Sequence, residues 1–210
     1  MHGGKRFDPA KLKRLEDPAR FAEQPFSAVV ELLAKHGVKS PRSVVDLGCG
    51  PGFHTLELAK WAPPGAKVWA LDVSPAMVER LRENLKGAAF GPVEPRDAEK
   101  VVPLVIEENS FPCADRSVDL FFSARVFHEV SDPQPFLSEV ARVLAPGGFV
   151  LTIDWKKEPT ENGPPVEHRV SLAEAVGIFS QQPLSVVDWG PIWTQEWFVL
   201  ARTSSTSRPA

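Results

Sequence analysis

Val44-Val45-Asp46-Leu47-Gly48-Cys49-Gly50-Pro51-Gly52 is the stretch that decides how this chain folds. An apolar run of the kind found in buried strands enters three glycines at alternate positions, and a helix-like segment, Phe53 to Trp61, follows. Glycine permits turn geometries that other residues avoid and lets a ligand approach the main chain closely. A second apolar run, Lys67-Val68-Trp69-Ala70-Leu71-Asp72, ends in a carboxylate 26 residues after Asp46. In an open α/β sheet, an acidic residue at that strand end can hold both hydroxyls of a ribose. The combination points to a nucleoside-like ligand.

Outward from this stretch, strand and helix patterns alternate from residue 42 to about 180, which predicts a parallel sheet with crossover helices. Ser74 and Pro75 supply an N-cap and first-turn pair for a helix whose Val78, Leu81 and Leu85 face the sheet. Residues 87–100 form a long, proline-bearing connection, followed by strands at Val101 to Ile106 and Val118 to Ser123. Asp132 and Pro133 open a helix running through Phe136, Leu137, Val140 and Leu144, and Pro146-Gly147-Gly148 stops it before a strand from Phe149 to Asp154. Ser185 to Trp189 and Gln195 to Arg202 are joined by only five residues. That is too short for a crossover helix, so the two pair antiparallel.

At 210 residues the chain has room for one domain with a sizeable core. Charged residues make up 24% and hydrophobic ones 43%, as in ordinary soluble domains. A formal net charge of -3 gives no overall positive field to draw nucleic acid or anionic lipid. The start is mildly basic (Lys5, Arg6, Lys11, Lys13, Arg14), which reads as a solvated face. No apolar run approaches the roughly 20 residues that span a bilayer, and the start lacks a signal-peptide core. Two cysteines give no disulfide framework. These features predict a cytoplasmic protein, monomer or homodimer, without a nucleic-acid or membrane partner. No residue set suggests a metal site.

The glycine spacing bears on the ligand. A dinucleotide fingerprint places its third glycine three positions after the second. Phe53 stands there, and the third glycine is Gly52. Asp-Leu-Gly-Cys-Gly-Pro-Gly resembles motif I of the class I S-adenosylmethionine-dependent methyltransferases. Phe111-Pro112-Cys113-Ala114-Asp115-Arg116-Ser117-Val118-Asp119, Phe127 to Pro133 and Arg142 to Gly148 are similar to later blocks of small-molecule members related to the quinone-biosynthesis C-methyltransferases. The likeness covers roughly residues 6 to 202. It implies a three-layer, Rossmann-like α/β fold with a seven-stranded, mostly parallel sheet and an antiparallel C-terminal hairpin. Residues 41–202 would form the domain. Residues 1–40, with Phe26, Val29, Val30, Leu33 and Ala34 at helical spacing, would supply a helical lid or simply cover the sheet. Residues 203–210 would be a disordered tail.

The resemblance also implies roles. Asp46, Gly48, Cys49, Gly50 and Gly52 would line the methionine and ribose part of S-adenosylmethionine, and Asp72 would take the ribose hydroxyls. Val73 and Met77 would pack on the adenine. Glu107, Glu108 and Asn109 stand where the adenine edge is held, and Ser123 and Arg125 where the methionine end lies. Arg125 could reach that carboxylate or a substrate anion, or be solvated. His128 would be the general base, with Asp154 orienting it; His168 and Arg169, near Gly163-Pro164-Pro165, could line the acceptor pocket or, more plainly, belong to a surface loop. The function implied is methyl transfer from S-adenosylmethionine to a small-molecule acceptor at carbon, oxygen or nitrogen. The alternative is a non-catalytic module that binds S-adenosylmethionine or S-adenosylhomocysteine; an NAD enzyme is disfavoured by Phe53. Pro112-Cys113 precedes its strand, and Asp132-Pro133-Gln134-Pro135-Phe136 reads as a helix cap. Neither is placed for nucleic-acid base methylation.

Overall fold

A computed structural model describes residues 12–160 and 162–204. The chain divides into two units by contact, one within residues 7–107 and the other from residue 108 onward. In the first, α1 (Leu12–Leu15), α2 (Ala19–Glu23) and α3 (Phe26–Lys35) precede β1 (Ser43–Leu47). The helical spacing read from residues 26–34 is α3, which buries Val29 and Leu33. The glycine turn then leads to α4 (Phe53–Trp61), β2 (Lys67–Asp72), α5 (Pro75–Asn84), α6 (Pro95–Ala98) and β3 (Val101–Val105). β1 pairs parallel with β2, and β2 parallel with β3.

The Ser74-Pro75 pair begins α5 as its residue types require. Ser74 Oγ accepts from Met77 N at 3.4 Å, and proline fills the first turn, where no amide hydrogen is needed. Within the long 87–100 connection, α6 brings Lys100 beneath α4. Its Nζ donates to the carbonyls of Ala59 and Ala62, both at 2.7 Å, and to Asp97 Oδ1 at 3.0 Å. The end of α4 is thereby capped by a buried cation. The connection has a structural job that periodicity does not reveal.

The second unit holds β4 (Val118–Ala124), a 3₁₀ turn at Phe127–Glu129, α7 (Pro133–Val143), β5 (Leu144–Trp155), a 3₁₀ turn at Val166–His168, α8 (Leu172–Phe179), β6 (Ser185–Ile192) and β7 (Glu196–Arg202). β4 and β5 are parallel, whereas β7 runs antiparallel to both β5 and β6. The seven strands belong to one sheet, mostly parallel with an antiparallel C-terminal hairpin, as the sequence predicts. Asp132 caps α7 by accepting from Gln134 N at 3.0 Å. Arg142 near the end of α7 pairs with Glu139 and Asp115 and donates to the carbonyls of Phe111 and Cys113, tying the segment before β4 to the helix. The predicted hairpin turn is shorter than expected, since β6 runs on to Ile192. The predicted tail falls, from residue 205 on, outside the described residues.

α7 stops at Val143, sooner than expected, and Leu144 already pairs with Val118 in the sheet. Gly148 has the tightest surroundings of the turn, for a Cβ there would lie 2.8 Å from the Val118 carbonyl and 2.9 Å from that of Ala145. Both obstacles are backbone, so neither can rotate away. Gly148→Ala is therefore expected to cost about 1–3 kcal/mol of stability, the scale of an overpacked core position, measured as a lower urea midpoint at unchanged slope.

Candidate active site

Strand β1 delivers Asp46 into the core and then turns through Gly48, Gly50 and Gly52 at φ 66°, 51° and 100°. Gly52 is required by its left-handed backbone, and a Cβ there would also meet the end of the Leu81 side chain, Cδ1, at 2.4 Å. The amides of this turn are spent within the unit. Gly48 N and Cys49 N donate to Leu71 O (2.7 and 3.1 Å), Gly52 N to Cys49 O (3.0 Å) and Gly50 N to Asp72 Oδ2 (2.9 Å). A phosphate cradle needs such amides turned toward the ligand. The other Asp72 oxygen accepts from Ser74 N at 2.8 Å. A carboxylate can accept about four hydrogen bonds, so anchoring the loop is compatible with clamping a diol.

Asp46 is buried, and Thr55 donates to its Oδ2 at 2.5 Å. Burial pushes its pKa up to about 7; the Thr55 bond opposes this and the negative charge of Asp72 adds to it. Cys49 is also buried, and burial raises its thiol well above the ordinary value. Val73 is half-buried. Met77, at 4% exposure, lies among the buried residues of α5 with Val78 and Leu81, so its thioether serves the core instead of an open adenine face. The N-terminal helices reach the same turn. Leu15 Cδ1 lies 3.8 Å from where a Gly50 Cβ would stand, and Glu16 accepts from Arg80 (2.6 and 3.0 Å) and Asn84 (3.0 Å).

After β3, Glu107 is exposed and Glu108 accepts from the Ser131 amide at 2.9 Å. Asn109 adopts φ 61° and places its Oδ1 out of water without a partner among the described residues. A buried acceptor without a donor costs roughly 1–3 kcal/mol, so of these three residues Asn109 has the strongest claim to a ligand.

At the end of β4, Ser123 is fully enclosed and its hydroxyl lies 3.2 Å from that of Thr152. Its side chain is therefore structural. Arg125, with φ 62°, is partly exposed and is held by Glu196: Nε and a terminal nitrogen both donate to Glu196 Oε1. Its guanidinium stacks 3.9 Å from the centre of the Trp155 ring. His128 and Asp154 come together as expected. Asp154 accepts from the His128 backbone amide at 2.8 Å and meets Nδ1 at 2.8 Å, and its Oδ1 also takes the Trp155 amide at 2.7 Å. Nε2 lies 3.7 Å from Glu129 Oε1. Burial disfavours the imidazolium, but the charge and hydrogen bond of Asp154, helped by Glu129, outweigh it and raise the pKa above the ordinary value; Arg169 opposes.

His168 is exposed. Arg169 is buried and donates to five acceptors of its own connection, the carbonyls of Pro164, Lys156, Glu158 and Asn162 and the Thr160 hydroxyl. Sequence reasoning missed Thr55, Glu196, Trp155 and Glu129. Glu196, a charged residue opening an otherwise apolar strand, carried a readable signal. Among the described residues no group of side chains is arranged to hold a metal, and no helix is long and apolar enough to cross a membrane.

An α/β sheet with a glycine turn whose amides are already spent, and with an anchored carboxylate at the next strand end, defines a nucleoside-binding protein unlike a pyrophosphate binder. The chain belongs to the methyltransferase domain family, whose model matches residues 45–152. Its fold is similar to that of an S-adenosylmethionine-dependent methyltransferase from Aquifex aeolicus, at 34% identity and a TM-score of 0.82 over 94% of this chain and 99% of that one. Two trans-aconitate 2-methyltransferases are also similar. The Methylobacterium radiotolerans protein is 35% identical over 67% of this chain and 49% of its own length. For that of Variovorax paradoxus the values are 33%, 87% and 61%. The chain thus spans about half the length of the curated relatives it matches. S-adenosylmethionine is the cofactor of the family, and the spent loop amides and the Asp72 carboxylate fit a ligand with a ribose and no pyrophosphate.

The raised pKa of Asp46 has a sign that can be measured. Between its unfolded value near 4 and its folded value of about 7, the native chain holds a proton that the unfolded chain has lost, so stability falls as pH rises. Glu16, Glu139 and Glu174 are lowered and act below that window, and His128 is raised and acts above about pH 6.5. From about pH 4.5 to 6.5, Asp46→Asn is expected to remove a downward slope of about 1 kcal/mol per pH unit, read from denaturation midpoints across that range.

Proposed function

We propose that this chain transfers the methyl group of S-adenosylmethionine to a small-molecule acceptor. The observation that carries the catalytic half of this reading is the buried His128–Asp154 pair. Holding a carboxylate and a titratable imidazole largely out of water is costly unless the two satisfy each other, and a module that only binds S-adenosylmethionine or S-adenosylhomocysteine has no use for such a pair. In this reading the main chain of Asp46, Gly48, Cys49, Gly50 and Gly52 lines the methionine and ribose part, and Asp72 clamps the diol. Val73 packs on the adenine, and Asn109 Oδ1 accepts from its amine. The N-terminal segment up to residue 40, with α1, α2 and α3 and with Glu16 bound to Arg80 and Asn84 of α5, acts as the lid of a domain over residues 41–202. Small acceptors agree with the trans-aconitate specificity in the relatives' names. The formal net charge of -3 supplies no attraction for nucleic acid. A cytoplasmic location and a monomer or homodimer remain part of this reading.

Calorimetric titration of the full chain tests it. S-adenosylhomocysteine is expected to bind with micromolar affinity, about -7 to -8 kcal/mol, and NAD not at all; tight NAD binding without S-adenosylhomocysteine binding would reject the assignment. Asp72→Asn keeps one accepting oxygen but sets its amide nitrogen against the other backbone N–H. It is expected to weaken S-adenosylhomocysteine binding by about 1.5–3 kcal/mol, the scale of a hydrogen bond to a charged group, and to lower the melting temperature as one loop anchor is lost.

A further inference from the structure

We propose that the methyl acceptor is an uncharged hydroxyl compound, a phenol, enol or alcohol, and that its proton is taken by Nε2 of His128. This rests on the methyltransferase reading and narrows it to one acceptor chemistry. Three observations carry it.

The first is how His128 is held. Asp154 grips both its backbone amide and Nδ1, each at 2.8 Å. A carboxylate only accepts, so Nδ1 carries the hydrogen and Nε2 presents its lone pair. Nε2 makes no hydrogen bond to the described residues. Its charged neighbour is Glu129 Oε1 at 3.7 Å, so a proton arriving on Nε2 creates an imidazolium set between two carboxylates.

The second is the state of the cations in the same unit. Arg125 is bound to the buried Glu196 and stacked on Trp155. All five guanidinium N–H donors of Arg169 have acceptors in its own connection. Lys156 Nζ donates to Thr194 O, and Lys157 Nζ to Glu174. A carboxylate acceptor at His128 would arrive as an anion beside the carboxylates of Asp154 and Glu129, with Arg125 already paired to Glu196 and Arg169 to the carbonyls of its connection.

The third is the proton count. At neutral pH a carboxylate has no proton to lose in methylation, and a neutral amine attacks first and sheds its proton afterwards. A hydroxyl, with a pKa near 10 for a phenol, gains from a base at the moment of attack. Its proton passes to Nε2 as an oxygen electron pair forms the new bond to the methyl carbon. The carbon–sulfur bond breaks with its electron pair left on sulfur, giving an uncharged thioether. The products are a methyl ether, S-adenosylhomocysteine and imidazolium, and charge balances. His128 must begin neutral, so activity falls on the acid side of its pKa, set by Asp154 from β5, Glu129 from its own turn and Arg169 from the connection ahead of α8.

The test is a matched panel of aromatic compounds bearing a hydroxyl, a carboxylate or an amine on the same one- and two-ring frames. The panel is offered to the full chain with saturating S-adenosylmethionine, and products are read by mass spectrometry. Methyl ethers are expected. His128→Ala is expected to lower kcat for them about 10²–10⁴-fold with S-adenosylhomocysteine affinity changed no more than a few-fold, and to abolish the acid limb. An NMR titration of the wild-type imidazole, which needs no folded variant, is expected to give the pKa of that limb. Methyl esters or methylamines as the main products overturn the proposal. So do ethers formed equally fast by His128→Ala, an imidazole pKa unrelated to the limb, or no ether from any hydroxyl member. A chain that binds no S-adenosylhomocysteine overturns the broader reading as well, which separates the two failures.

Discussion

The carboxylate of Asp72 holds the main chain in two places, one oxygen on the amide of Gly50 and the other on that of Ser74. Three segments meet there: the end of β2, the turn after β1 and the start of α5. The turn needs this anchor because it passes through three left-handed residues, a path that an unrestrained chain would share with many others. Leu81 packs against the position where a side chain at residue 52 would stand. A loop ordered before its ligand arrives loses little entropy on binding. The residue expected to recognise the ribose therefore also builds the surface that the rest of the cofactor would touch, and a variant with a single accepting oxygen loses part of both duties.

The second unit depends on charge in a different way. Trp155 has the guanidinium of Arg125 at 3.9 Å from its ring centre and that of Arg169 at 5.3 Å. Arg125 is answered by Glu196 and Arg169 by carbonyls, while Asp154, one residue before the tryptophan, holds His128. Cation–π contacts contribute about 0.5–2 kcal/mol each, which only offsets part of the cost of desolvation. Packed hydrophobic residues would stabilise a sheet end at less expense. What the charges add is a fixed imidazole with one nitrogen committed and the other presented, an arrangement suited to proton transfer.

Much of this was legible in the sequence, and the rest was hidden for physical reasons. Alternating apolar runs and boundary residues gave the strands, α4, the Ser74 and Asp132 caps and the antiparallel hairpin, because those follow from local periodicity and capping chemistry. The end of α7 was misjudged because the sheet partner of Leu144, Val118, lies 26 residues away, and pairing overrides helix propensity. Position along a motif points Met77 and Ser123 toward the cofactor, whereas their side chains are buried within the protein, a property that no local pattern carries. The pairing of Arg125 with Glu196 spans 71 residues, and no local pattern announces such a contact. His128 and Asp154 meet because one follows β4 and the other stands near the end of β5, its parallel neighbour, where topology brings strand ends together.

The extent of the family match bears on how far function can be carried over. It covers residues 45–152, which take in the glycine turn, Asp72, Asn109, Arg125 and His128. Asp154, Trp155, Arg169 and Glu196 all lie beyond it. The residues that decide whether His128 is a base, and that commit Arg125 and Arg169, thus belong to the part of the chain that the family model leaves undescribed. Shared ancestry speaks to the cofactor, where one ligand imposes one geometry. It says much less about the acceptor, which varies among relatives whose own lengths this chain only partly spans. The acceptor in a relative's name is therefore weak guidance here, and the charges around His128, being properties of this chain, are the stronger argument for the proposed acceptor.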